Sequence, residues 1–292
     1  MTGALKQYAN EIRNNLRYGV MRWRERKSLP VLTEHESEIV RDLIRTGVHV
    51  TTLETLCNTG VEAVMRSGGT IQARLSKALV AANDFTISAN QKDLSEFPEL
   101  LRWGLDERIL SIIRTYIGLP IAYRGLTVRR DVVGGPQTET RMWHRDDEDN
   151  RIVKIIVYLN DVGDDGGPFE YIPHDQSPAT WRIPDVSSSR VTDTEMERMV
   201  PKNRYRACTG SRGTVVIVDT CRVFHKGGVA AAQDRHTLFY CYNSQSPMNP
   251  QWCGPLFDHD SFVAACPNLT PEQQDAVDLT YLRRSAPNTA LE

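Results

Sequence analysis

The sequence has no apolar run long enough to cross a bilayer. Its longest aliphatic stretches, "IIVYL" and "VVIV", fall far short of the roughly 20 residues a membrane helix needs. CxxC spacing is missing too. The six cysteines (Cys57, Cys208, Cys221, Cys241, Cys253 and Cys266) are scattered, which suggests neither a zinc knuckle nor a disulfide framework. Net charge is nearly absent, at a formal −2, and gives no reason to expect a nucleic-acid partner. Where a secretory leader would carry an apolar core, the early chain carries "MRWRERK", so the cytoplasm is the expected location. Internal repeats and low-complexity segments are lacking as well. What remains, at 292 residues with 40% hydrophobic and 25% charged, is an ordinary globular composition with enough chain for one large core.

Two textures divide that chain. Residues 1–120 read as mainly helical. "ALKQYANEIRNNLRYGVMRWRERKS" has few β-branched residues, and "TEHESEIVRDLIRTG" opens on a capping threonine and closes on glycine. "VHVTTLETL" reads as a short strand feeding a helix. "DERILSIIRTYIGLP" places Ile109, Ile112, Ile113 and Ile117 at helical spacing. The first of these helices is lopsidedly basic, and a solvated face is preferred for it over a membrane-surface or partner helix. After Pro120, β-rich runs ("IAYRGLTVRRDVV", "RIVKIIVYLNDV", "GPFEYIP", "GTVVIVD", "HTLFYCYNS") follow one another with no helices between. That pattern predicts an α+β protein with a mainly β core over 121–246, an antiparallel sandwich, barrel or jelly roll. The N-terminal helices should pack on one sheet, and 247–292 forms a C-terminal extension.

Chemistry concentrates in "MWHRDDEDNRIVKIIVYLNDV". Residues two apart on a strand share a face, so His144 and Asp146 can aim at one ion. Asp147, Glu148 and Asp149 read as a solvated turn. A third ligand is sought at another strand end, and His225, closing "GSRGTVVIVDTCRVFHKGG", is so placed. Arg235 opens the next strand, "RHTLFYCYNS", and can carry a guanidinium into the same barrel. Two imidazoles and one carboxylate leave open positions on a metal, the arrangement of non-haem Fe(II) oxygenases. A buried arginine offers a fork for a carboxylate.

The chain resembles the phytanoyl-CoA-dioxygenase-like group of Fe(II)/2-oxoglutarate-dependent oxygenases over about residues 105 to 246. "HRD", "IIVYLNDVGDDGGPFEYIPHDQS", "GTVVIVDTCRVFHKGG" and "DRHTLFYCY" occur in that group's order. The segment "YIPHD" departs from the group by lacking the usual glycine–serine before its histidine. The resemblance implies a double-stranded β-helix (jelly roll, cupin-like). It implies His144, Asp146 and His225 as iron ligands, Arg235 as the grip on the distal carboxylate of 2-oxoglutarate, and O2 as the other cosubstrate. It also implies hydroxylation or desaturation of an unactivated C–H of a small molecule, with release of succinate and CO2. A carboxylate at Asp146 speaks against halogenation.

Further residues are candidates for the cosubstrate: Thr237, two along from Arg235; Lys154 or Tyr158, on the Ile152/Lys154/Ile156/Tyr158 face; and Arg129, beside Thr127 and Asp131. The Val153/Ile155/Val157/Leu159 face is expected to pack between sheets. Trp143 is expected in the core, His174 in a loop, and His236 pointing away from Arg235. Residues 183–205 form a long polar insertion that reads as a lid. Two alternatives remain: a cupin-like dioxygenase or isomerase that does not use 2-oxoglutarate, and a non-catalytic binding barrel. The resemblance leaves substrate identity and oligomeric state open.

Overall fold

A computed structural model describes residues 3–57, 59–81, 84–178, 190–257, 262 and 264–277. In chain order the strands are β1 Val48–Thr52, β2 Thr86–Ser88, β3 Ile121–Asp131, β4 Trp143–His144, β5 Val153–Tyr158 and β6 Phe169–Ile172. They continue as β7 Arg190–Val191, β8 Arg206–Cys208, β9 Thr214–Asp219, β10 Phe224–Gly227 and β11 Arg235–Ser244. Two antiparallel sheets result, ordered β1-β9-β5-β11-β3-β2 and β7-β4-β10-β6-β8. The helices are α1 Gly3–Glu25, α2 Glu34–Arg45, α3 Leu53–Leu56, α4 Val61–Lys77, α5 Gln91–Ser95, α6 Pro98–Trp103, α7 Glu107–Ile117, α8 Asp193–Met199 and α9 Pro271–Val277. None of the described helices is long and apolar enough to cross a membrane.

Strands β5 and β9 are apolar on both faces because both faces of the larger sheet are covered. On one face Ile155, Val157, Val215 and Ile217 pack with Leu43, Leu75, Ile109 and Ile113 of the helices. On the other, Ile156, Tyr158, Val216 and Val218 meet Phe169 and Cys208 of the smaller sheet. The expectation for Val153, Ile155, Val157 and Leu159 is therefore corrected: this face packs on the helices, not between sheets. Both outer strands of the larger sheet, β1 and β2, come from the N-terminal part, so helical flank and β core are interwoven.

Local chemistry fixes the helix ends. Thr33 and Glu36 form a reciprocal capping box at the start of α2, and α7 ends on Gly118 at φ 73°. Arg130 Nη1 donates to the carbonyls of Leu75 (2.9 Å) and Ala78 (3.1 Å), fastening the C-terminus of α4 to β3. A bulge follows on β3: Gly125 faces Cys241 and Tyr123 faces Tyr242, so Arg124 is the extra residue. Gly125 holds φ 114°, and a Cβ there would collide with the Phe257 ring.

Of the expected lid, residues 183–189 lie outside the described residues. The rest is anchored structure. β7 pairs with β4, setting Val191 against Trp143 and Arg190 against His144, and α8 follows directly.

Candidate metal centre

The two histidines are brought together by sheet register. His225 on β10 is the direct antiparallel partner of His144 on β4, and their ring centroids lie 4.2 Å apart. Asp146 follows just beyond β4, its backbone N–H donating to the Thr220 carbonyl at 2.9 Å. One ligand-capable atom from each of His144, Asp146 and His225 falls within 4.8 Å of the other two. Both rings present Nδ1 to a backbone carbonyl, His144 to Met142 (2.8 Å) and His225 to Val223 (3.2 Å). That contact places the proton on Nδ1 and leaves Nε2 free to ligate. Burial lowers the pKa of both histidines and so favours the neutral imidazole a metal requires.

Asp146 is held as a carboxylate. Burial opposes its ionisation, but the Lys154 ammonium beside it outweighs this and keeps its pKa well below the usual range. Lys154 Nζ sits 2.6 Å from Oδ2, while Oδ1 lies 3.9 Å from His144 Nε2. One oxygen is taken and the other turns to the histidines.

The two histidines of the triad line a cavity of about 360 Å³ that also touches Arg129, Lys154, Thr220 and Arg235. Arg235 is buried, with Nε (3.2 Å) and Nη2 (3.0 Å) donating to Asp131 Oδ2 and Nη1 to the Gly167 carbonyl. Those bonds leave one hydrogen on each terminal nitrogen. Gly227 makes room for the guanidinium, since a Cβ there would stand 3.0 Å from Nη2. Arg129 shares Asp131, Nε to Oδ2 at 3.3 Å, and lies over the Phe239 ring at 4.4 Å. Two cations on the cavity wall therefore share one carboxylate.

No family model matches the sequence, and no curated protein matches it. Solved structures do. HygX from Streptomyces hygroscopicus with iron bound aligns at TM-score 0.52 and 17% identity, over 74% of this chain and 88% of that one. AviO1 from Streptomyces viridochromogenes Tue57 aligns at 0.52 and 14%, over 74% and 98%. EctD from S. alaskensis with bound Fe aligns at 0.51 and 20%, over 75% and 81%. HygX and EctD have also been solved with 2-oxoglutarate. The chain has their fold.

Within that fold the remaining candidates separate. Thr237 lies on the Arg235 face of β11, fully buried, its hydroxyl without a hydrogen-bond partner among the described residues. Tyr158 is spent on structure: its hydroxyl donates to the Cys208 carbonyl (2.7 Å) and accepts from Phe169 N–H (3.1 Å), riveting the sheets. Neither Tyr158 nor its cross-strand partner Thr237 is among the residues that line the cavity. Trp143 is in the core, and His236 turns to Ser76 on α4, 3.2 Å away. His174 sits in a short 3-10 turn.

The acidic turn is corrected in part: Asp147 is exposed as expected, but Glu148 and Asp149 are not. Asp149 is buried and accepts from Ser244 N–H at 2.8 Å, and Glu148 lines the cavity. Sequence reasoning missed Thr220, whose hydroxyl is buried, unpartnered among the described residues, and on the cavity wall. A lone threonine in "VDTCRVFH" gives no signal for this. Thr86 and Ser88 were missed for the same reason and also line the cavity.

Proposed function

We propose that the chain is an Fe(II)- and 2-oxoglutarate-dependent oxygenase, built on a double-stranded β-helix over 121–246, that hydroxylates or desaturates an unactivated C–H of a small molecule. The observation that carries this reading is a His–Asp–His triad whose two histidines share one cavity with buried Arg235. The donor set fits Fe(II): two neutral imidazoles and one carboxylate with a free oxygen leave room for further ligands. His144 Nε2, His225 Nε2 and Asp146 Oδ1 would hold the ion. Arg235 would hold the distal carboxylate of 2-oxoglutarate with its remaining N–H groups, helped by the unpartnered hydroxyl of Thr237.

Bound iron, supplied with 2-oxoglutarate and O2, provides the oxidising power, and succinate and CO2 leave. The chain does the rest. Lys154 keeps Asp146 ionised and occupies its second oxygen, restricting the carboxylate to one ligating atom. Ile156 and Phe169 line the cavity with apolar surface that excludes water. A cavity of about 360 Å³ suits a small molecule rather than a polymer.

A second reading, a metal enzyme of this fold without 2-oxoglutarate, draws on one fact: Arg235 already has Asp131 as counter-ion. Anaerobic titration with Fe(II) and then 2-oxoglutarate separates the two. A visible charge-transfer band, lost in His225→Ala, supports the first. Iron binding without the band favours the second, and no metal binding removes both.

A further inference from the structure

Helix α1 docks by one side only. Tyr18 is buried with its hydroxyl on the Ser246 carbonyl (2.8 Å), Met21 packs on the core, and Arg22 donates to Asn150 Oδ1 (2.8 Å). The outward side is not the polar face such a helix should show to water. Ile12 is 43% exposed, Leu16 66%, Val20 52% and Trp23 63%, and the spacing of four, four and three residues aligns them in one stripe. Exposed Arg13, Arg17, Arg24 and Lys27 lie along this stripe, and Arg26 stacks on Trp23 at 4.1 Å.

We propose that this face of α1 is an interfacial helix that docks the protein on an anionic lipid surface. The stripe suits the boundary between headgroups and acyl chains, and the flanking guanidiniums suit anionic headgroups. An exposed tryptophan is the aromatic that interface favours. Charge is segregated to match. Residues 1–30 hold seven basic and two acidic side chains, while the rest of the chain holds 28 basic against 35 acidic. The basic helix is thus attracted to an anionic surface, and the acidic body is repelled outward from it. Self-association about a twofold axis is the poorer occupant, because it would bring together two faces that each carry Arg13, Arg17 and Arg24.

Co-sedimentation with vesicles tests this on the full chain. Vesicles of phosphatidylcholine with roughly a third phosphatidylglycerol should retain the protein. Pure phosphatidylcholine, or roughly 0.5 M salt, should weaken binding more than about tenfold. Leu16→Glu and Trp23→Ser should each lower retention, as should Arg17→Glu/Arg24→Glu. All these positions are exposed, so circular dichroism and thermal melts should match wild type. Absence of wild-type binding overturns the proposal, as does binding indifferent to both Leu16→Glu and Trp23→Ser. A concentration-dependent dimer abolished by Leu16→Glu, with no vesicle binding, would overturn it in favour of a seam between two copies.

Discussion

Asp146 faces two tasks, with one oxygen against Lys154 and the other toward the histidines. Asp146→Ala should therefore do two things. Loss of a ligand should cut 2-oxoglutarate turnover by more than about 100-fold. The Lys154 ammonium, left without its partner, should lower stability by about 1–3 kcal/mol, less than for a fully buried pair because Lys154 is partly exposed. Undiminished succinate production by the variant would remove Asp146 from the ligand set, and urea midpoints check the second effect. Asp131 gives a pH prediction. Burial would raise its pKa, but Arg129 and Arg235 outweigh burial and hold it below the ordinary range. A carboxyl lowered on folding contributes stability that is complete above its unfolded pKa, about 3.9, and lost as pH falls through the folded value. Urea midpoints below about pH 4 should thus fall more steeply in wild type than in Asp131→Asn; parallel slopes would contradict it. The triad was readable because ligand chemistry restricts residue types at short spacing. Neither the sharing of Asp131 nor the hydroxyl of Tyr158 was, since both depend on which residues cross-strand register and sheet packing bring together.

At the scale of elements, α8 is the piece that fastens the smaller sheet. Asp193, in its first turn, accepts from Trp143 Nε1 (2.7 Å), Lys226 Nζ (2.7 Å) and Gln137 Nε2 (2.6 Å). Trp143 and Lys226 adjoin His144 and His225, so one carboxylate ties down both histidine strands from behind. Asp193→Ala should cost about 1–2 kcal/mol, reduced from the buried value because the carboxylate is partly exposed. A urea midpoint equal to wild type would show that the tie carries nothing. This element was present in the sequence: Thr192 and Glu195 make the capping signature that opens α8. It was passed over because the surrounding polarity matched a loop. β1 was readable from "VHVTT", whereas three residues of β2 are too few for a period-two pattern, and pairing with β3 alone defines them.

Across the whole molecule, the centre lies on the seam between sheets. His144 and His225 belong to the smaller sheet; Lys154, Arg129 and Arg235 belong to the larger. Beside the centre the sheets meet through Ile156, Tyr158, Val216 and Val218 against Phe169 and Cys208, and Ile156 and Phe169 also face the cavity. At the site, the cavity takes the place of that packing. A metal held by the smaller sheet, and an oxo-acid reaching from it to Arg235, would join the halves as the missing core does not. Ligands that bind only the folded state stabilise by mass action, about 2.7 kcal/mol at a hundredfold excess over Kd. For a chain of this size that is a rise of about 4–5 °C in Tm. Redox-inert Mn(II) should give part of the rise, 2-oxoglutarate alone almost none, both together the full rise, and EDTA should reverse it. Arg235→Ala should keep the metal increment and lose the 2-oxoglutarate increment. If the variant kept both, the oxo-acid would not reach the larger sheet through Arg235, and Arg129, which shares Asp131 beside it, would take its place.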